Sequence, residues 1–173
     1  NSIRELTKAM HEGNEECMKE MHRIIHYTLS TKKKGLKMEP KITFYENGEI
    51  EYTIKGICDA TWGSDKSTGL SVSGYIVYFM GVPVSWKSRG QKHVCLSSTE
   101  SEFVCVSEVV KEILFIKKVL ESLVIKVKIP IQVLCDNIGA IYMSTNTTNH
   151  PATRHVSMRF FFVKQLVKEG IIE

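Results

Sequence analysis

Three carboxylates occupy positions in the sequence from which they could hold a divalent cation. Asp59 closes the segment KGICD, Asp136 closes QVLCD, and Glu102 lies near the start of a long segment with helical periodicity. Oxygen-only ligands favour Mg²⁺ or Mn²⁺ over Zn²⁺. Two such ions roughly 3.5 to 4 Å apart can activate water and stabilise the leaving oxygen in phosphodiester hydrolysis. The residue types therefore predict a metal site suited to phosphoryl chemistry, provided that the fold brings the three together.

Glu102 has two competing interpretations. Steps of three and four residues connect it to the apolar positions Val106, Val109, Ile113, Ile116 and Leu120, so it shares the buried face of the predicted helix. Glu100, two residues earlier, is rotated about 200° around the axis and should face elsewhere. However, Thr99 and Glu102 also fit a capping box, in which the glutamate reaches back to the N-cap amide. From this residue alone, both the metal-ligand role and the capping role stay open.

The elements that must position these acids follow the order βββαβαα from Lys41 onward. A turn at Asn47–Gly48 precedes a strand ending near Asp59, and SVSGYIVYFM and PVSWKS are two further strands. A helix from about Thr99 to Ser122 leads to the strand IPIQVLC and to two helices, NIGAIYMS and HVSMRFFFVKQLVKEG. Three consecutive strands predict an antiparallel meander, and the long helix then crosses over to a fourth strand parallel to the first. The predicted fold class is α/β, a mixed sheet flanked by helices.

This topology predicts that the acids converge. The strands ending at Asp59 and Asp136 would be parallel neighbours, and open α/β sheets carry their sites at the rim where such strands end. Either aspartate alone is explained as well by a helix cap or a turn. Three carboxylates together are harder to explain, because at ~4 Å and an effective dielectric of ~20 each pair repels by about 4 kcal/mol. A divalent cation would relieve that repulsion.

Composition excludes several classes of protein. The chain has 173 residues, of which 43% are hydrophobic and 24% charged, as in an ordinary soluble globular protein. No apolar run approaches ~18 residues, so we expect no membrane partner. The N-terminal sequence NSIRELTKAM has neither an initiator Met nor a signal-peptide pattern, which predicts a segment of a longer chain.

Cysteine usage and charge indicate the compartment and the class of partner. The five cysteines are Cys17, Cys58, Cys95, Cys105 and Cys135. They are odd in number and lack CxxC spacing, which argues against a disulfide framework and a zinc site and predicts a reducing, intracellular compartment. The net charge of +4 is compatible with a polyanionic partner but does not identify one.

Residues 1–40 differ from the rest of the chain. Their apolar residues have helical spacing, with Asn14 as a candidate N-cap. The basic segment TKKKGLKMEP, marked by Gly and Pro, then predicts a boundary between a helical segment, 1–40, and a main domain, 41–173. The alternative is that the helices decorate a single domain.

Several other residues could contact a nucleic acid. The candidates are Lys87, Arg89, Lys92, Ser98, Thr99 and Asn137. Basic side chains bind phosphates, hydroxyls donate to the backbone, and an amide beside Asp136 could contact a ribose 2′-hydroxyl. Solvated loops and helix caps explain the same residues about as well. His150 and His155 are weaker candidates, and Trp62 and Trp86 are expected in the core.

A family resemblance selects among these alternatives. The segments CDATW, KSTGLSVSGY, SWKS, LSSTESEF and CDN resemble, in order and spacing, the ribonuclease H domain of copia-type LTR-retrotransposon Pol polyproteins, from about Cys58 to the end. Residues 1–40 are similar, more weakly, to the C-terminal tail of the family's reverse transcriptase. The resemblance implies a ribonuclease H-like fold, with Asp59, Glu102 and Asp136 as catalytic metal ligands for two Mg²⁺ or Mn²⁺ ions.

The resemblance also implies an activity and partners. The activity is hydrolysis of the RNA strand of RNA–DNA hybrids during reverse transcription. The partners are the hybrid and the reverse transcriptase domain of the same polyprotein, in the cytoplasm, the nucleus or a virus-like particle, with no small-molecule cofactor.

The sequence departs from the family's pattern at three positions. Thr61 and Ser157 stand where the family has acids, and Phe161 stands where it has a histidine. The fourth metal ligand of the fold is expected after a fifth strand, of which GIIE at the C-terminus reads as the opening. With three of four acids, enzymatic status stays open between a nuclease and a catalytically impaired or dead nucleic-acid-binding or structural module from a decayed element. An integrase-like transferase on the same fold is a further alternative, disfavoured by the spacing of the motifs.

Overall fold

A computed structural model describes residues 3, 6–7, 13–145 and 157–173 of the protein. In chain order the elements are α1 (Glu15–Thr31), β1 (Ile54–Thr61), β2 (Val72–Phe79), β3 (Val82–Gly90), α2 (Ser98–Ser122), β4 (Gln132–Leu134), α3 (Ile138–Thr145) and α4 (Ser157–Lys168). This confirms the predicted order of strands and helices. None of the helices in the described part of the chain is long and apolar enough to cross a membrane.

The chain divides into two compact units, Asn1–Met38 and Glu39–Glu173. In the first unit α1 begins at the predicted N-cap, because Asn14 Oδ1 accepts a hydrogen bond from Cys17 N at 2.9 Å. The apolar stripe of α1 is formed by Met18, Met21, Ile25 and Leu29, which are 38% to 59% exposed. The assignment of residues 1–40 to the tail of a reverse transcriptase stays a prediction.

The second unit is built on a mixed sheet with strand order β3-β2-β1-β4. β1 pairs antiparallel with β2 and parallel with β4, and β2 pairs antiparallel with β3. With helices packed on this sheet, the fold is α/β and ribonuclease H-like, as predicted. Ile131 N donates to Ile171 O at 2.8 Å, and Val133 N donates to Glu173 O at 2.8 Å. The last residues of the sequence therefore pair with the free edge of β4, in the position of a fifth strand.

Helix α2 packs closely on β1 at Gly56. A Cβ added to Gly56 would lie 2.7 Å from Ile113 Cδ1 and 3.0 Å from Val109 Cγ2, and both of those side chains are fully buried. Farther along the core, the rings of Phe103 and Phe160 lie 5.6 Å apart and join α2 to α4. The absence of a side chain at Gly56 thus sets how near α2 lies to the sheet.

Replacing Gly56 with valine should lower the free energy of unfolding by about 2 to 3 kcal/mol, since the new side chain overpacks the core. Adding Ile113→Val removes the atom that would clash, so the double variant should lose at least ~0.5 kcal/mol less than the sum of the single losses. Urea unfolding measures both effects. Gly90→Val is the matched control, because no atom lies within 4 Å of its Cβ position; an equal loss there would contradict the packing argument.

The two faces of the sheet differ in what covers them. Residues of β1 alternate, so that Ile54, Gly56 and Cys58 are buried under α2, while Ile57 and Asp59 are exposed on the opposite face. Side chains of four strands form an exposed apolar row on that face, namely Ile57, Ile76, Trp86 and Leu134.

Both tryptophans are therefore placed differently from the expectation. Trp86 is 64% exposed and Trp62 is 53% exposed, so the prediction that they belong to the core is wrong. Trp86 takes the outward position of the alternating strand β3, opposite Ile76. Trp62 follows the end of β1, where its indole Nε1 donates to Cys95 O at 2.9 Å.

Candidate metal centre

Glu102 is a buried carboxylate, with only 5% of the residue exposed. Its Oε1 accepts a hydrogen bond from Ala60 N at 3.0 Å, which joins the first turns of α2 to the end of β1. Its Oε2 faces the thiol of Cys135, with Cys135 Sγ at 3.9 Å. Among the described residues no Lys or Arg forms an ion pair with Glu102. A buried charge with one strong hydrogen bond is far from fully compensated.

The capping interpretation of Glu102 is wrong. The N-cap of α2 is Ser97, whose Oγ accepts from Glu100 N at 3.1 Å. Glu100 reaches back, and its Oε2 accepts from Leu96 N at 2.6 Å. The capping pair thus lies two residues earlier than Thr99 and Glu102, because Ser97 is the last residue with extended backbone before the helix. The capping of α2 therefore does not involve Glu102.

This assignment predicts different effects for neighbouring hydroxyls. Ser97→Ala should lower the free energy of unfolding by about 1 kcal/mol, since it removes the cap. Ser98→Ala is the matched control, one residue along and exposed, and it should change stability by less than about 0.5 kcal/mol. Thermal or urea unfolding distinguishes the two, and a larger loss for Thr99→Ala than for Ser97→Ala would restore the original capping box.

Glu102, Cys135 and Asp136 form one group of possible ligands. One donor atom from each lies within 4.8 Å of the other two, and burial decreases from Glu102 through Cys135 to the exposed Asp136. Asn137 caps the following helix, since its Oδ1 accepts from Ala140 N at 2.9 Å. Gly139 lets α3 approach α2, because a Cβ there would lie 2.9 Å from Thr99 Oγ1. These two contacts hold the Asp136 segment beside the start of α2.

Asp59 is near this group but outside it. β1 continues two residues beyond Asp59, to Thr61, because Ala60 and Thr61 still pair with Ser73 and Val72. The strand therefore ends near Asp59, as expected, but two residues beyond it. Asp59 keeps the outward position of a regular strand, while its neighbour Cys58 points towards α2. On the open face Asp59 borders a cavity of about 350 Å³ that is also lined by Gly74 and Trp86.

The electrostatics of Glu102 reflect its burial. Loss of solvent raises the pKa of the Glu102 carboxyl above its ordinary value, and the hydrogen bond from Ala60 N opposes this shift. The negative charges of Asp59 and Asp136 raise the pKa further. Asp59 is therefore close enough to act on the charge of Glu102 even though it lies outside the ligand group. A cation at this point would favour the ionised form of Glu102.

Cys135 is the member of the group that the sequence did not indicate as a ligand. The neighbouring Cys58 lowers the pKa of the Cys135 thiol, and the neighbouring thiols of Cys105 and Cys135 raise the pKa of Cys58. A signal was present in the sequence. A Cys-Asp pair follows Ile57 in β1 and Leu134 at the end of β4, and the register Ile57–Leu134 brings the two cysteines to the same side.

The basic nucleic-acid candidates are exposed. Lys87 and Arg89 lie on the edge strand β3, in the sheet rows of Cys58 and Ala60 respectively, and Lys92 follows β3. They are therefore at the same end of the sheet as the carboxylates.

The other candidates differ in how their side chains are used. Ser98 is exposed, Thr99 packs on α3, and Asn137 serves as a cap. His150 and His155 lie outside the described residues. Phe161 is 55% exposed on α4.

Comparison with known proteins identifies relatives. The chain is 31% identical over 171 residues to the retrovirus-related Pol polyprotein from transposon RE1 of Arabidopsis thaliana, which covers 99% of this chain and 11% of the relative. It is 29% identical over 171 residues to the corresponding polyprotein from transposon RE2, with the same coverage. It is 34% identical over 122 residues to the polyprotein from transposon TNT 1-94 of Nicotiana tabacum, covering 70% of this chain and 9% of the relative.

The chain thus spans about a tenth of the length of these relatives. No family model matches the chain, and no solved structure matches it. The sequence similarity to two of the polyproteins extends over nearly the whole chain and so includes both compact units. The chain is therefore homologous to a region of the retrovirus-related Pol polyproteins of transposons.

Proposed function

We propose that this chain is the ribonuclease H region of a transposon Pol polyprotein, which hydrolyses the RNA strand of RNA–DNA hybrids with divalent metal. The observation that carries the proposal is the position of Glu102. It is a buried carboxylate, it has no part in capping its helix, and it lies within 4.8 Å of a ligand atom of Asp136. Uncompensated buried acids that face a second acid are typical of cation sites.

The residues present fit a hard divalent cation. The carboxylates of Glu102 and Asp136 offer oxygen ligands, and Asp59 is close enough to influence the charge of Glu102. These are the ligands that Mg²⁺ and Mn²⁺ prefer. When bound, one ion would activate water and a second would stabilise the leaving oxygen. Glu102 and Asp136 would hold the metal, and Asp59 would contribute a further carboxylate.

The surroundings support the choice of substrate. Exposed Lys87 and Arg89 lie on the edge strand at the carboxylate end of the sheet, where they can contact phosphates. Asn137 uses its carbonyl to cap α3, so its amide donors stay available for a 2′-hydroxyl beside Asp136. Recognition would depend on the shape of the hybrid and on its 2′-hydroxyls, with little dependence on base sequence.

The proposal includes partners and a compartment. The reverse transcriptase domain of the same polyprotein would supply the hybrid, and the helical segment 1–40 would connect the two. The relatives are retrovirus-related Pol polyproteins from transposons, which supports this arrangement. All five cysteines are free, as expected in a reducing compartment such as the cytoplasm, the nucleus or a virus-like particle.

A second candidate is a catalytically impaired module that binds hybrid without cutting it. Asp59 lies outside the group formed by Glu102, Cys135 and Asp136, and Thr61 and Ser157 replace acids of the family's pattern. Both observations favour weaker metal binding than in a complete site. The two candidates differ in cleavage, whereas both predict binding of the hybrid.

A cleavage assay separates them. The chain, extended along its polyprotein past Glu173, is incubated with an RNA–DNA hybrid, with single-stranded RNA and with duplex DNA, each in Mg²⁺ or Mn²⁺. We expect cleavage only of the RNA strand in the hybrid, and its loss on chelation of the metal. Binding of the hybrid without cleavage would establish the impaired module, and failure to bind or cut any of the three would refute both.

A further inference from the structure

We propose that Cys135 makes the same group a site for thiophilic divalent cations, Zn²⁺ or Cd²⁺, which compete there with Mg²⁺ or Mn²⁺. The binding itself is argued from the geometry of Glu102, Cys135 and Asp136. The competition rests on the proposed function, because it requires that hard cations use the same carboxylates. The absence of CxxC spacing argued against a zinc site in the sequence; the tertiary structure provides a different set of ligands.

The distances suit a small cation with mixed ligands. The donor atoms of Glu102, Cys135 and Asp136 lie within 4.8 Å of one another, and Glu102 Oε2 lies 3.9 Å from Cys135 Sγ. Ligands of a tetrahedral Zn²⁺, about 2.0 to 2.3 Å from the ion, are roughly 3.5 Å apart. A movement of about 1 Å would close the group around the ion. Asp136 is exposed and follows the end of β4, so its side chain can make that movement.

The burial of Glu102 also favours a cation at this site. Glu102 is 5% exposed, and the hydrogen bond that its Oε2 accepts from Cys135 Sγ is long, at 3.9 Å. A buried carboxylate in this condition loses solvation without full compensation, which a cation bound at Oε2 would supply. Cys135 Sγ lies 3.9 Å from that oxygen, so a cation between the two atoms would contact both side chains.

The sulfur of Cys135 determines which cations bind this site most tightly. Thiolate ligands select Zn²⁺ and other soft or borderline ions, whereas a thiolate adds little to the binding affinity for Mg²⁺. Binding converts the Cys135 thiol to a thiolate and releases its proton to solvent, and no oxidation is involved. A cation held by one thiolate and two carboxylates would occupy the carboxylates that the proposed hydrolysis needs. We therefore expect thiophilic cations to inhibit cleavage.

Cadmium binding tests the site without relying on activity. Adding Cd²⁺ to the metal-free protein should produce a sulfur-to-metal charge-transfer absorption in the ultraviolet. Cys135→Ser should abolish this absorption, and Asp136→Asn should weaken Cd²⁺ binding at least about tenfold. Cys95→Ser is the matched control, because Cys95 is also buried but donates its thiol to Gln91 Oε1 at 2.9 Å; it should keep the absorption. Circular dichroism verifies that each variant is folded.

The possible outcomes separate the two proposals. An unchanged absorption in Cys135→Ser would assign the metal to another cysteine and overturn this inference, as would the absence of absorption in the folded wild-type protein. Cadmium binding that needs Cys135, in a chain that never cuts hybrid, would support the site and reject the nuclease. Where cleavage is observed, the ratio of rates with and without Zn²⁺ should rise towards one in Cys135→Ser.

Discussion

Replacing Glu102 with glutamine should abolish cleavage of hybrid and, at the same time, make the metal-free protein more stable at neutral pH. The amide keeps an oxygen that can accept from Ala60 N, so the connection between α2 and β1 is preserved. What disappears is an uncompensated buried charge beside Asp136 and Asp59. We expect a gain of roughly 1 kcal/mol in the free energy of unfolding, with a loss of cleavage of at least about a hundredfold.

The stability effect should depend on pH in a defined direction. Burial raises the pKa of Glu102 in the folded protein, so the folded state binds this proton more tightly than the unfolded state. The contribution to stability is complete below the unfolded pKa and is lost as the pH rises through the folded pKa. The wild-type protein should therefore lose stability across that window, and Glu102→Gln should flatten the profile.

Urea unfolding as a function of pH, with and without Mg²⁺, measures this prediction. Magnesium should stabilise the wild-type protein and leave Glu102→Gln unchanged, since ligands stabilise only the state that binds them. The matched control is Glu121→Gln on the same helix, about 28 Å from Glu102 along the axis and bonded to Lys117. A Glu102→Gln variant that is less stable than wild type at neutral pH, or that still cuts hybrid, would contradict the role proposed for this carboxylate.

The second large effect concerns the two aspartates. Asp136→Asn should reduce cleavage at least about a hundredfold, because it removes a charged ligand next to Glu102. Asp59→Asn should have an effect at least as large if Asp59 serves both ions. Both residues are exposed, so neither substitution should change the free energy of unfolding by more than about 0.5 kcal/mol.

Single-turnover cleavage rates and Mn²⁺ titration distinguish the two aspartates. Asp136→Asn should weaken Mn²⁺ binding at least about tenfold. If Asp59→Asn cuts hybrid as fast as the wild-type protein while Asp136→Asn does not, Asp59 is not a metal ligand. Its side chain would then stay on the open face of the sheet during catalysis. Unchanged cleavage in Asp136→Asn would remove the central ligand from the proposal.

Much of the fold was predictable because its signals are local. Alternation in the strands, three- and four-residue steps in α2, and the Asn47–Gly48 turn each follow from a few consecutive residues. Glu102 was separated from Glu100 by helical periodicity alone. The N-cap was predicted two residues too late, because Ser97, Ser98 and Thr99 are all good caps and only the backbone of Ser97 is extended before the helix.

The sequence by itself determined the order of the elements, the mixed sheet and the acids that could meet at its rim, because hydrophobic periodicity and chain order constrain the topology. Only the tertiary structure decided which side chains do meet. Strand β1 continues past Asp59 and turns that acid outward, while the parallel register with β4 brings Cys135 against Glu102. Pairing between segments that are distant in the sequence determines where each strand ends and which face of the sheet each side chain occupies. A local sequence pattern does not specify that pairing.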